Sequence, residues 1–328
     1  MHASFIEIYN TNDMHKRFND LNRDGKERIK GFLDYSIRLK VKKSISELSK
    51  IEKKLRNDFP NFTPAIDHVF ASLKIGAGSD TKGVYFSPLL MVGPPGIGKT
   101  YFSKRLSKDL GLVETIIDLA TATHSMILTG TSSRWGESSP GLIAKSLMKT
   151  KVANQVVRLD ELDKVSSMQS TGFGGGMVTD ALITLLEKHS AETFIDEWME
   201  VKIDASHISY IATANSLDTI PNHILSRFNV AKIRILTKEE MLPVISNAYN
   251  NLLEEWELPD FTRTLGRGVK PLLAGMQDVR SLRAVLTAGL ASCIGRNAKQ
   301  ITVHDVKASI ADLVQLRAEK NNSMGFIH

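Results

Sequence analysis

The sequence has a single cysteine, Cys293, among its 328 residues. No disulfide can form within the chain, and a reducing compartment is the simplest reading. No apolar run approaches the roughly 18 residues that a membrane span needs. Residues 1–10 lack the basic-then-apolar order of a secretory signal. Neither sign of charge dominates: 42 basic and 36 acidic residues leave a net charge of +6. That balance permits contact with nucleic acid but does not argue for it. The nine histidines are scattered without metal-ligand spacing, and Cys293 falls on an apolar helix face, so both read as structural. No internal repeat is visible. These absences exclude a disulfide-stapled scaffold and a collagen-like chain, and they point to a cytoplasmic protein without a membrane partner. What is present is ordinary: 42% hydrophobic and 24% charged residues exclude a wholly disordered chain. At roughly 150 residues per domain, the length suggests about two domains.

Residues 1–25 are polar and mixed, and read as a loosely packed start. Residues 26–57 read as a helix, because Val41, Ile45, Leu48, Ile51 and Leu55 recur at spacings of four and three. The lysines between them (Lys40, Lys42, Lys43, Lys50, Lys53 and Lys54) form either a basic binding face or simply a solvated one. Pro60 ends this helix. A short helix is expected over 64–73, and 76–83 reads as a linker. The pattern then changes. Strands are expected at 84–92, 115–119, 155–159, 207–212 and 231–235, with helices at 99–110 and 180–188 between them. Alternation of this kind implies an α/β fold, a parallel sheet with helices on both faces. From 238 onward only helices are expected, most clearly at 281–294 and 303–316, with a short extended piece at 301–303. The expected organisation is a helical N-terminal segment over 1–80, an α/β core over 81–236 and a small helical domain over 237–328.

Gly93-Pro94-Pro95-Gly96-Ile97-Gly98-Lys99-Thr100 matches the phosphate-loop pattern, between an apolar strand and a helix. Glycines let consecutive backbone N–H groups face phosphates, and the helix N-terminus adds its positive end. Lys99 supplies a point charge for the β- and γ-phosphates of ATP, and the Thr100 hydroxyl is a ligand for Mg²⁺. A glycine-rich turn without a ligand is the bland alternative.

Val156-Val157-Arg158-Leu159-Asp160-Glu161 is an apolar strand ending in two carboxylates. Beside a phosphate loop, Asp160 can hold the metal's shell, and Glu161 can polarise a water for attack on the γ-phosphate. Taken alone, a helix N-cap is the commoner explanation of the Asp. Arg158 interrupts the apolar run, and nothing in the sequence accounts for it.

Together these residues resemble the AAA+ ATPases, and more narrowly the ATPase module of Lon proteases, over about residues 45–318. Leu159 through Lys164 looks like the Lon-type Walker B with its trailing Asp-Lys. Asp180 through Glu187 is similar to the helix that follows it. Phe194 through Val201 and Tyr210 through Ser216 resemble the next strand and sensor 1, which makes Asn215 the residue contacting the attacking water or γ-phosphate. Ile224 through Phe228 matches the stretch with the arginine finger, so Arg227 would reach into a neighbouring subunit. Gln277 through Leu282 resembles the start of the sensor 2 helix, with Arg280 as sensor and Arg283 as the alternative, and Asp278 stands where the family usually has Gly. Each arginine also has a surface or ion-pair explanation. Asn61, Phe62 and Ile66 fall where the family builds part of its adenine pocket, and ordinary packing explains them equally well.

The resemblance further implies a hexameric ring acting on protein. A finger supplied in trans completes the site only at a subunit boundary, and a closed ring satisfies every boundary. Trp135, in the Gly/Ser/Thr-rich stretch 129–141, corresponds to the pore-loop aromatic that grips a polypeptide, although a Trp packed on its own loop is the simpler alternative. The glycine-rich stretch 169–177 corresponds to a second pore loop, or to a hinge. No peptidase pattern follows residue 318, so remodelling or threading of a protein substrate is expected without proteolysis. Two other classes are a nucleic-acid-associated ATPase, suggested by the Lys-rich 40–54 segment, and a slow nucleotide-gated scaffold.

Overall fold

The protein is described from a computed structural model that covers residues 4–33, 37–78, 83–121, 125–132, 138–167, 178–276 and 278–311. In chain order the strands are β1 (Ser4–Glu7), β2 (Ile37–Lys40), β3 (Leu89–Val92), β4 (Glu114–Asp118), β5 (Val156–Asp160), β6 (Phe194–Ile195), β7 (Lys202–Ile203), β8 (Ser209–Ala214) and β9 (Asn229–Lys232). The chain separates into two compact units. Met1–Lys54, Phe62–Gly93 and Lys99–Ile233 form one, and Leu55–Asn61, Pro94–Gly98 and Arg234–His328 form the other.

The first unit is built on a five-stranded parallel sheet in the order β4-β5-β8-β3-β9. Every residue of β3 and β8 is buried, as expected for parallel strands covered on both faces. Helix Lys99–Leu110 packs on β5 and β8, and helix Thr63–Ala77 packs on β3 and β9. Their buried residues, Phe102, Leu106 and Leu110 on one and Ile66, Val69, Phe70 and Leu73 on the other, recur at the spacing of a single helix face. Each such side chain contributes roughly 1.5–3 kcal/mol by leaving water. The α/β expectation therefore holds, and helix 99–110 falls on its expected bounds. The strand expected at 84–92 starts only at Leu89. Pro88 has no N–H for a ladder, and the Phe86 N–H goes to the Ser209 hydroxyl (3.0 Å) instead of a neighbouring strand.

The N-terminal residues are not the loosely packed start that their polarity suggests. β1 pairs antiparallel with β2 around helices Thr11–Asp20 and Arg23–Leu33, and Ile8, Met14, Ile29 and Phe32 are buried. The polar residues of this stretch terminate and anchor elements. Asn10 caps the first helix, accepting the N–H groups of Asn12 and Asp13. Arg17 donates to the Trp198 carbonyl at 2.7 Å and pairs with Glu200. Nor is 26–57 one helix. It breaks at β2, and the Val41 backbone is held extended by the amide of Asn154, which accepts its N–H and donates to its C=O, both at 2.9 Å. Helix Ile45–Asp58 then starts afresh at a reciprocal Ser44–Glu47 cap.

The second unit is helical. Helix Lys238–Glu255 opens with a capping box between Thr237 and Glu240. Its Ile245, Tyr249 and Leu252 pack with Val269, Leu273, Leu282, Leu286, Leu290, Cys293, Ile301 and Val306. A Cβ at Gly289 would lie 2.8 Å from Val306 Cγ1, so helix Val279–Gly295 and the segment carrying Val306 meet at a position that only glycine fits. The extended piece expected at 301–303 is absent. Asp305 accepts both the N–H and the hydroxyl of Thr302 at 2.8 Å, which starts a helix at Val303 instead. Asp305 also pairs with Arg296 at 2.6 Å, and this guanidinium holds its carboxyl well below the usual carboxylate range.

Candidate active site

The C-terminal ends of β3, β5 and β8 lie side by side, the place where open parallel sheets collect ligands. β3 leads into the phosphate loop, and the Gly93 N–H donates to the Ala214 carbonyl at 3.3 Å. Gly96 and Gly98 have φ of 81° and 100°, a left-handed backbone that glycine adopts without strain. Nothing lies within 4 Å of a Cβ built on Gly98, so that position requires glycine for its conformation and not for space. Ile97 is buried, whereas Pro94, Pro95 and Thr100 are exposed.

Lys99 is 9% exposed. Its ammonium donates to the Gly93 carbonyl (2.6 Å) and to Asn215 Oδ1 (3.1 Å). Burial lowers its pKa, while the charges of Asp163 and Asp160 pull it back up. Asp160, at the end of β5, has both oxygens engaged. Oδ1 accepts the Thr213 hydroxyl and Oδ2 accepts Arg158 Nε, each at 3.0 Å. The next residue, Glu161, turns left-handed at φ 59° with its side chain exposed, and its N–H donates to Thr213 Oγ1 at 3.2 Å. A non-glycine residue in this conformation costs of order 1 kcal/mol, and such positions cluster at functional sites. Hydrogen bonds thus join Gly93, Lys99 and Asn215 in one set and Asp160, Thr213 and Glu161 in another, and the Asp160 charge acts on Lys99.

Three participants have no role assigned from the sequence. Thr213 joins Asp160 to Glu161. Asp163 accepts the Asn215 N–H at 3.2 Å through Oδ2, while its Oδ1 is buried without a hydrogen-bond partner among the described residues. Arg158 is buried against Asp160. An Asp three residues after Asp160 and an Arg inside an apolar strand were the available signals.

The site suits a polyphosphate with a divalent ion. It offers a buried ammonium at a helix N-terminus, influenced by the Asp163 charge, and, among the described residues, an Asp163 oxygen without a hydrogen-bond partner. Among the described residues no group of three or more His, Cys, Asp or Glu could enclose a metal ion. A cation held by Thr100 and Asp160 would complete its shell with phosphate oxygens and water, as Mg²⁺ does.

Arg227 ends the turn Asn222–Leu225, forms an ion pair with Glu187 at 2.5 Å and donates to the His223 carbonyl. Its Nε is buried without a partner among the described residues. In the second unit, Arg283 grips Glu255 at 2.6 and 2.8 Å, whereas Arg280 is exposed at the start of its helix. Asp278 caps that helix and crowds Gly96, where a Cβ would fall 2.1 Å from its Oδ1. The Asn61 amide donates to the Arg234 carbonyl at 2.9 Å. Phe62 and Ile66 are fully buried, and Phe62 stacks on Phe102 with centroids 4.5 Å apart, which is the packing alternative for both.

Trp135 and the glycine-rich stretch 169–177 lie outside the described residues. The neck of the Trp135 segment is described. The Thr131 N–H donates to the Ser139 carbonyl (3.1 Å), and the Ser139 N–H donates to Thr131 Oγ1 (2.9 Å). The buried carboxyl of Asp196 accepts the N–H groups of Gly141 (2.7 Å), Trp198 and Met199 (both 3.0 Å), and burial pushes its pKa up to about 6.

Residues 89–234 match the ATPase family associated with various cellular activities (AAA). The chain is 34% identical to a Lon protease of Clostridium beijerinckii over 183 residues, 56% of this chain and 22% of that protein. It is 28% identical to the mitochondrial Lon protease homolog of Kluyveromyces lactis over 227 residues, 67% of this chain and 19% of that one. It therefore spans about a fifth of the length of these relatives. A solved structure of the S. cerevisiae Hsp104:casein complex in its extended conformation shares the fold, with a TM-score of 0.61 at 17% identity, covering 79% of this chain and 50% of that one. No helix among the described residues is long and apolar enough to cross a membrane. The family match, the Lon similarity and the parallel sheet with its phosphate loop converge: residues 89–234 match the AAA ATPase family, and the chain resembles the ATPase module of Lon proteases.

Proposed function

We propose that this chain hydrolyses ATP with Mg²⁺ as part of a ring, in the cytoplasm, and uses the cycle to remodel or thread a protein. The observation that carries this reading is the Lys99 ammonium, buried and held between the Gly93 carbonyl and Asn215 while Asp160 and Glu161 end the adjoining strand. Lys99 and the N–H groups of Gly96, Ile97 and Gly98 bind the phosphates, flanked by Gly93, Pro94 and Pro95. Thr100 and Asp160 hold Mg²⁺, which when bound neutralises phosphate charge. The Glu161 carboxylate takes a proton from the attacking water, and Asn215, fixed by Asp163, orients that water. Arg227 of one subunit reaches the next subunit's γ-phosphate, and Arg280 senses the same group from the helical lid.

In this proposal residues 1–80 form an N-terminal segment, 81–236 the nucleotide-binding core and 237–328 the lid. Phe62 and Ile66 form part of the adenine pocket. Trp135 grips the substrate in a hexamer. The similarity to Lon proteases and to the Hsp104 complex, which contains casein, supports a protein substrate. The test is the steady-state ATPase rate alone, with an unfolded protein and with DNA. Stimulation by unfolded protein that disappears in Trp135→Ala is expected. Stimulation by DNA alone would replace the threading reading with a nucleic-acid role, and its salt dependence would be steep.

A further inference from the structure

Arg158 sits in the middle of β5, where Val156, Val157 and Leu159 are 0% exposed and Arg158 itself is 4% exposed. A guanidinium this buried requires charged partners. It has two. NH1 pairs with Glu114 Oε2 on the neighbouring strand β4, and Nε pairs with Asp160 Oδ2, each at 3.0 Å. NH1 also lies 3.5 Å from the Thr100 carbonyl. Glu114 is itself fixed, since its Oε1 accepts the Ser103 hydroxyl at 2.6 Å. The result is one chain of partners, Ser103–Glu114–Arg158–Asp160–Thr213, ending at the Glu161 N–H. Glu114 anchors the guanidinium through NH1, and Asp160 receives its Nε edge. A lysine could supply the charge but not the fork that reaches both carboxylates.

This arrangement bears on how the site tolerates an anion. A triphosphate arriving beside Asp160 without its cation meets a like charge, and a fixed positive charge within a few ångströms offsets that repulsion. We propose that Arg158 is a positioning residue which holds Asp160 in one orientation and stands in for the metal's charge, so that nucleotide binds whether or not the metal has arrived. The inference rests on the ATP reading of the site.

The test measures affinity for a fluorescent, slowly hydrolysed ATP analogue on the intact chain, once with EDTA and once with Mg²⁺. Arg158→Met should lower metal-free affinity by about tenfold or more, the scale of one lost charge partner in a partly buried site. With Mg²⁺ present the loss should be within about threefold, because the ion supplies the missing charge. Arg158→Lys should recover most of the metal-free affinity. Where Arg158→Met does not fold, Arg158→Met/Glu114→Leu removes the second stranded carboxylate and carries the same expectation. An equal loss with and without Mg²⁺, or no loss in either, would overturn the proposal, since a merely structural arginine would not distinguish the two conditions. A parent chain that binds no analogue at all would overturn the ATP reading itself, and this role with it.

Discussion

The ion pair between Arg227 and Glu187 sets a measurable limit on the proposed arginine finger. Glu187 holds Arg227 at 2.5 Å within the same chain, so reaching a neighbouring subunit means breaking that contact. The side chains are 21% and 46% exposed, so solvent screens the pair. Pairs of this kind contribute about 0.3–1 kcal/mol. At about 1.4 kcal/mol per decade, holding Arg227 in cis lowers the fraction free to act in trans by up to about fivefold. Glu187→Gln should therefore raise the ATPase rate of assembled protein by about two- to fivefold, while changing unfolding free energy by less than about 1 kcal/mol. Arg227→Ala should abolish most turnover, since a finger is worth on the order of a thousandfold or more. The assay is steady-state phosphate release across a range of protein concentrations, with thermal unfolding of each variant alongside. A Glu187→Gln variant that folds and assembles like the parent yet turns over no faster would refute the argument.

Three further outcomes are expected. Asp305→Ala strands Arg296 and the Thr302 N–H, and should cost the helical unit about 3 kcal/mol in urea unfolding; because its folded pKa is depressed, the contribution is present above about pH 4 and lost as pH falls below it, so parent and variant should converge in acid. Asp196 has the opposite sign: a folded pKa raised to about 6 favours the protonated form, so its contribution is complete below about pH 4 and lost as pH rises through about 6, by up to roughly 3 kcal/mol relative to Asp196→Asn, read as the difference between their stability–pH profiles. Gly98→Ala meets no atom within 4 Å but must hold φ 100°, so it should cost about 1–2 kcal/mol of stability and weaken nucleotide binding, with intact binding counting against the phosphate-loop assignment.

Where chemistry and local rules agree, the sequence was readable. The phosphate loop and helix 99–110 were legible because glycine conformation, helix start and apolar spacing coincide within a dozen residues. The two carboxylates ending β5 were legible once paired with that loop. What was not legible depends on distant partners. Asn154 breaks the apparent 26–57 helix by satisfying the Val41 backbone, and Ser44 and Glu47 restart it, although the Ser-x-x-Glu spacing was a usable signal. Residues 1–25 look loose because polar groups such as Asn10 and Arg17 are caps and anchors whose targets, such as the Trp198 carbonyl, can lie far along the chain. The helix Leu142–Thr150 was missed between a Gly/Ser-rich stretch and a strand. Arg158 was noticed but unexplained, because its reason is Glu114 on the adjacent strand.

The central claim is that Glu161 turns a bound nucleotide over at the site built by Lys99, Asp160 and Asn215. Its most direct test is a paired measurement on the parent chain and Glu161→Gln: affinity for ATP, and the rate of Mg²⁺-dependent phosphate release. Matching affinity with release reduced by at least about a hundredfold in the variant is the expected result for loss of a general base. Equal release from both chains, or no ATP binding by either, would contradict the claim.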